Sequence, residues 1–135
     1  MPHRLSDCHN VEDLRDLARR RLPGPIFHYI DGAADDEVTY KRNSEAYEAV
    51  DLVPNILAGV AEVDMSIEVM GAKLDMPLFC SPTALQRLFH HEGERAVARA
   101  AEKFGTLVGV SSLGTVSLAE IGGLIATPKM FQFYF

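Results

Sequence analysis

Three short apolar runs late in the chain leave few folds open: Pro77-Leu78-Phe79-Cys80, Leu107-Val108-Gly109-Val110 and Met130 to Phe135, with helical patterns between them. Strands this apolar cannot show one face to water, so the order β-α-β-α-β implies a parallel sheet covered by helices. Their starts lie roughly 25–30 residues apart, the repeat of an eight-stranded β/α barrel of about 250 residues. A chain of 135 residues holds only three such strands. The last, an aromatic strand, is left with no covering helix and no next strand to pair with. The expected fold class is therefore α/β: the amino-terminal part of a (β/α)8 TIM barrel preceded by helices, as the front portion of a longer protein. Residues 1–75 would hold the helices and a small hairpin. Residues 76–135 would hold the first three strands and two helices, one domain in the full-length protein.

Local signals fill in this outline. Asn10 and Asp13 mark a helix start, and Val11, Leu14, Leu17, Ala18 and Leu22 recur at helical spacing until Pro23-Gly24-Pro25 stops the helix. The cluster Ile26 to Ile30 follows, and the carboxylates of Asp35, Asp36 and Glu37 suit the positive end of a helix running to about Ala49. Ser66 to Val69, Gly71 and Lys73-Leu74 predict a small hairpin. A helix is expected from about Glu92 to Phe104, ended by Gly105, and Ser117 with Glu120 predicts a capping box.

Composition narrows the partners. A hydrophobic content of 47% fits a packed chain, and a formal charge of −6 offers no positive field for nucleic acid. Cys8 and Cys80 lie too far apart in sequence for a ligand-like spacing, and the histidines show none with carboxylates, so no metal site is expected. Neither GxGxxG nor GxxxxGK[ST] occurs. The polar amino terminus lacks the apolar stretch of a signal peptide, which points to a cytoplasmic protein.

In a β/α barrel, chemistry sits where strands end and loops begin. Three places qualify. Ser81-Pro82-Thr83-Ala84 offers small residues that let backbone amides approach a flat ligand. Ser111-Ser112 offers hydroxyl donors. Gln132 and Tyr134, two apart, would share one face of a strand. Each has a plainer reading as a turn, a strand end or a satisfied interior pair. Tyr29 likewise reads as a core tyrosine, His28, His90 and His91 as surface or capping groups, and Arg19 to Arg21 as a solvated helix face.

Taken together, four ordered segments resemble the FMN-dependent α-hydroxy-acid oxidising enzymes, among them glycolate oxidase, mandelate dehydrogenase and, most similar, the cytochrome-type L-lactate dehydrogenases. They are Phe27-His28-Tyr29-Ile30-Asp31-Gly32-Ala33-Ala34-Asp35-Asp36-Glu37; Ser81-Pro82-Thr83-Ala84-Leu85-Gln86 with His91-Glu92-Gly93-Glu94; Val110-Ser111-Ser112; and Phe131-Gln132-Phe133-Tyr134. The resemblance implies an FMN cofactor and the oxidation of a small 2-hydroxy acid such as L-lactate to the 2-oxo acid. It implies that Tyr29 and Tyr134 bind substrate, that Pro82, Thr83 and Ala84 lie against the flavin ring, and that Ser111 and Gln132 bond its polar end. It also implies an acceptor that is oxygen, a quinone or a cytochrome, a homo-oligomer, and a cytoplasmic location, at most peripheral to the inner membrane. The family's catalytic histidine, substrate-binding arginines, flavin-side lysine and phosphate-binding segments have no counterpart among these residues, so no catalytic residue is expected here and the chain alone should be inactive. One departure is Ala33, where the family commonly has glycine; it matters only if that position needs positive φ. The rival readings are a non-catalytic binding module that uses the Phe131 to Phe135 strand, and a different FMN barrel enzyme.

Overall fold

A computed structural model describes residues 3–135, which divide into two compact units at Gly59/Val60. In the first unit, α1 (Val11–Arg21) starts where predicted: the Asn10 side chain accepts the Asp13 amide at 2.8 Å. Pro25 sits in the first turn of α2 (Gly24–Asp31), where its missing N–H costs nothing. Leu17 and Phe27 are buried, and Arg15 grips Asp31 through two bonds, Nε–Oδ1 at 2.5 Å and Nη2–Oδ2 at 3.0 Å. That guanidinium holds the Asp31 carboxyl below the usual carboxylate range. α3 (Val38–Glu48) begins near the expected acidic group, with a correction. Glu37 is the cap residue in left-handed backbone (φ 59°), and its carboxylate turns back to the Ala33 amide at 3.2 Å instead of capping α3. Positive φ falls at Asp35 and Glu37 and not at Ala33, so the Ala33 methyl imposes no strain.

The second unit opens with the predicted hairpin, β1 (Ile67–Val69) against β2 (Ala72–Leu74), antiparallel and turned at Met70-Gly71. Its centre is the parallel pair β3 (Val108–Ser111) and β4 (Lys129–Gln132), in register from Val108↔Lys129 to Ser111↔Gln132. α4 (Glu94–Lys103) buries Ala98 and Ala101, and α5 (Leu118–Leu124) buries Ile121. These pack with Val108, Val110, Val116 and Ile125 into one core.

Four further expectations need correction. The run Pro77–Cys80 is not a full strand: only Cys80 pairs, parallel to β3, giving its amide to Leu107 O (3.0 Å) and accepting from Gly109 N (2.7 Å). The cause is local. The Leu78 carbonyl is taken by the Thr106 hydroxyl, and Pro82 has no N–H to continue the ladder. Since Val108 N bonds to Pro128 O while Gly109 N bonds to Cys80 O, β3 lies between the Cys80 segment and β4, the order a barrel requires. Next, the strand predicted from Met130 to Phe135 runs only from Lys129 to Gln132, because β3 turns away after Ser111, where Gly114 N bonds Ser111 O (3.0 Å). α4 starts at Glu94, two residues late, because Gly93 holds φ 51°, ψ −131° and the Glu92 carboxylate pairs with Arg99. Finally, the capping box is half made. Ser117 Oγ accepts the Glu120 amide at 3.2 Å, but the Glu120 carboxylate goes to Arg95 Nε at 2.5 Å.

Candidate functional site

The carboxyl ends of the Cys80 segment, β3 and β4 lie together, and the loops that leave them are tied to one another. Gly109, mid-strand in β3, makes this possible: a Cβ there would sit 2.6 Å from Pro82 Cδ and 2.7 Å from Pro82 N. Only glycine lets the Ser81–Leu85 loop settle on β3. The loop is then pinned, with the Leu85 amide on Leu113 O at 3.1 Å and the Gln86 Nε2 on Thr83 O at 3.2 Å.

At the ends of β3 and β4, the ladder register sets Ser111 opposite Gln132. Gln132 Oε1 gathers three donors: Ser111 Oγ (3.4 Å), Ser112 Oγ (3.4 Å) and Ser112 N (3.3 Å). Ser111 is 7% exposed, and its Oγ also accepts the Leu113 amide at 3.1 Å. The two hydroxyls therefore spend their protons on Gln132. The Gln132 NH2, with no partner among the described residues, is left to donate elsewhere.

Of the residues singled out from sequence, Ser111 and Gln132 are thus in contact, and Pro82 packs against Gly109 of the strand that carries Ser111. Thr83 is exposed and Ala84 half-buried in the same loop, with Thr83 Oγ1 at 3.5 Å from Ser81 O. Tyr134 corrects the expectation that it shares a strand face with Gln132. It lies two residues beyond the end of β4, 67% exposed. Tyr29 is on α2 in the other unit, 55% exposed. Reading the sequence missed Gly109, Ser112 as a partner of Gln132, and the pair Glu94–Thr115. A glycine inside an apolar strand run was the one available signal.

No group of three or more His, Cys, Asp or Glu side chains is placed to hold a metal among the described residues, and no described helix is long and apolar enough to cross a membrane.

Comparison with known proteins decides the family. A family model described as FMN-dependent dehydrogenase matches residues 18–135. The chain belongs to the FMN-dependent dehydrogenase family. Glycolate oxidase 1 of Oryza sativa subsp. indica is 37% identical over 130 residues, which cover 96% of this chain and 35% of that protein. A mandelate oxidase crystallised with 3,3-difluoro-2-hydroxy-3-phenylpropionic acid superposes with a TM-score of 0.84 at 38% identity, covering 93% of this chain and 38% of that one. An active chimera of (S)-mandelate dehydrogenase gives 0.84 at 34% identity, covering 93% and 35%. The chain thus spans about a third of the length of the family members it matches, and its fold is the α/β arrangement of that part of their barrels: helices, then a few parallel strands.

The donor set fits the cofactor of the FMN-dependent dehydrogenases in one respect. A flavin ring's polar end carries carbonyl oxygens and a ring nitrogen that accept hydrogen bonds, and the Gln132 NH2 supplies donors. The small side chains of Pro82, Thr83 and Ala84 would leave a flat ligand room to approach the backbone there.

Proposed function

We propose that this chain is the amino-terminal portion of an FMN-dependent 2-hydroxy-acid oxidoreductase, and that the full-length protein oxidises L-lactate to pyruvate. The observation that carries the flavin reading is the Gln132 carboxamide, oriented by Ser111 and Ser112 at the carboxyl end of paired strands, where barrel enzymes keep their sites. Bound FMN would supply the two-electron acceptor for the oxidation. The chain's own part is to bind and orient. Gln132 donates to the ring's polar end, Ser111 and Ser112 fix the direction of that donor, and Pro82, Thr83 and Ala84 line the ring. Donors held in place before charge develops are worth more than ones that must reorganise. Tyr29 and Tyr134 are assigned to the substrate, through their phenol hydroxyls. The proton-abstracting base is assigned to residues other than these.

L-lactate is chosen on the likeness of the four segments to cytochrome-type L-lactate dehydrogenases; the names of the relatives suggest glycolate and mandelate as its competitors, and oxygen as an acceptor beside a cytochrome or quinone. The test uses the full-length protein. It should purify yellow and lose its flavin absorbance anaerobically on adding L-lactate, faster than with glycolate or (S)-mandelate. Faster bleaching by either competitor replaces the substrate but keeps the flavin reading. A folded protein without flavin absorbance, even after incubation with FMN, overturns the reading as a whole.

A further inference from the structure

Glu94 is the first residue of α4, yet it is 4% exposed, and its carboxylate faces inward. Oε1 accepts the Thr115 amide at 2.7 Å and Oε2 the Thr115 hydroxyl at 2.6 Å. That hydroxyl in turn accepts the Arg87 amide at 3.2 Å. Arg87 lies in the 3-10 turn Gln86–Leu88 that directly continues the Pro82-Thr83-Ala84 loop, and Thr115 in the loop that leaves Ser111 and Ser112, so the carboxylate joins the two.

The proton inventory favours an ionised carboxylate. Thr115 Oγ1 accepts the Arg87 amide, while its own proton and the Thr115 N–H both go to Glu94. A carboxylate takes both as charge-assisted bonds. Glutamine would keep the two contacts only as weaker neutral bonds, its oxygen accepting the amide and its NH2 donating to the second lone pair of Thr115 Oγ1. Burial pushes the Glu94 carboxyl upward, but the Thr115 hydroxyl and amide, together with the backbone amides of Glu94 and Gln86, outweigh it and hold the group below the usual carboxylate range.

We propose that Glu94 is a positioning residue: through Thr115 it staples the first and second strand-end loops together and so fixes Thr83 and Ala84 relative to Ser111, Ser112 and Gln132. Its consequence for flavin rests on the reading above, whereas the staple itself does not. Glu94 touches neither substrate nor flavin in this scheme.

The experiment compares full-length wild type with Glu94→Gln, Thr115→Val and Thr115→Ser, measuring FMN dissociation constants and amide exchange without ligand. Glu94→Gln and Thr115→Val should each weaken FMN binding about tenfold, since hydrogen bonds to charged groups are lost. Both should speed exchange in residues 83–88 and 111–116 together, while Thr115→Ser restores wild-type behaviour. If Glu94→Gln fails to fold, Thr115→Val carries the test, because it keeps the amide bond and loses only the hydroxyl. Exchange that rises in one loop alone, or a lowered melting temperature with FMN affinity unchanged, overturns the positioning role. A wild type with no FMN affinity overturns the flavin reading, and the exchange data still decide the staple.

Discussion

In residues 60–135 nine hydrophobic side chains are buried, among them Leu74, Val108, Val110 and Ile121, whereas among the described residues up to Gly59 only Leu17 and Phe27 are. Both regions carry amphipathic helices with good caps. The difference is a sheet. β3 gives α4 and α5 a surface on which Ala98, Ala101 and Ile121 disappear from water, while α1 leaves Val11 and Leu14 exposed and relies on Asn10, the Leu17 and Phe27 side chains and the Arg15–Asp31 pair. Local signals make a helix start where it does; burial decides how much stability it brings.

Substitutions can break that contrast. Ile121→Ala should cost the most, about 2–5 kcal/mol, because the side chain is 1% exposed and leaves a cavity; Leu17→Ala, beside exposed neighbours, should cost less. Denaturant midpoints of the two variants give the order, and a larger loss from Leu17→Ala would reverse the argument. Gly109→Ala comes next, at about 1–3 kcal/mol, because its methyl would overlap Pro82. It should also expose the amides of residues 81–85 to faster exchange. The caps offer a matched pair across the two regions. Asn10→Ala and Ser117→Ala should each cost about 1 kcal/mol, and equal losses would show that capping is indifferent to what the helix packs on.

The smallest effect is one of pH. Asp31 and Glu94 both have folded-state values below their ordinary ones, Asp31 through Arg15 and Glu94 through Thr115 against the pull of burial. A depressed folded value contributes stability that is fully present above the unfolded value, about 4, and is lost as pH falls through the folded one. Unfolding midpoints should be flat above about pH 5 and decline below about pH 4. Asp31→Asn should blunt the decline and cost at most about 1 kcal/mol at neutral pH, because Arg15 is partly solvated.

Much of this was legible in the sequence because it is local. Asn10 as a cap, the stop at Pro23-Gly24-Pro25, the turn at Gly71 and the β3–α5–β4 order depend on neighbours in the chain. What was missed depends on partners far along it. The Pro77–Cys80 run looks like a strand until Thr106 takes the Leu78 carbonyl, and Glu94 looks like a solvated first-turn acid until Thr115 arrives from the next loop. The candidate site divides the same way. Ser111 and Gln132 could be picked out as strand-end polar residues, but that the serine hydroxyls serve Gln132 is set by the β3–β4 register.

On the proposed reading, that arrangement would make the Gln132 carboxamide a polarity filter. With three protons crowded onto its oxygen, what remains outward is positive in character. On the proposed reading, a molecule rich in lone pairs would be favoured there, and one that leads with an amine or guanidinium would meet like against like.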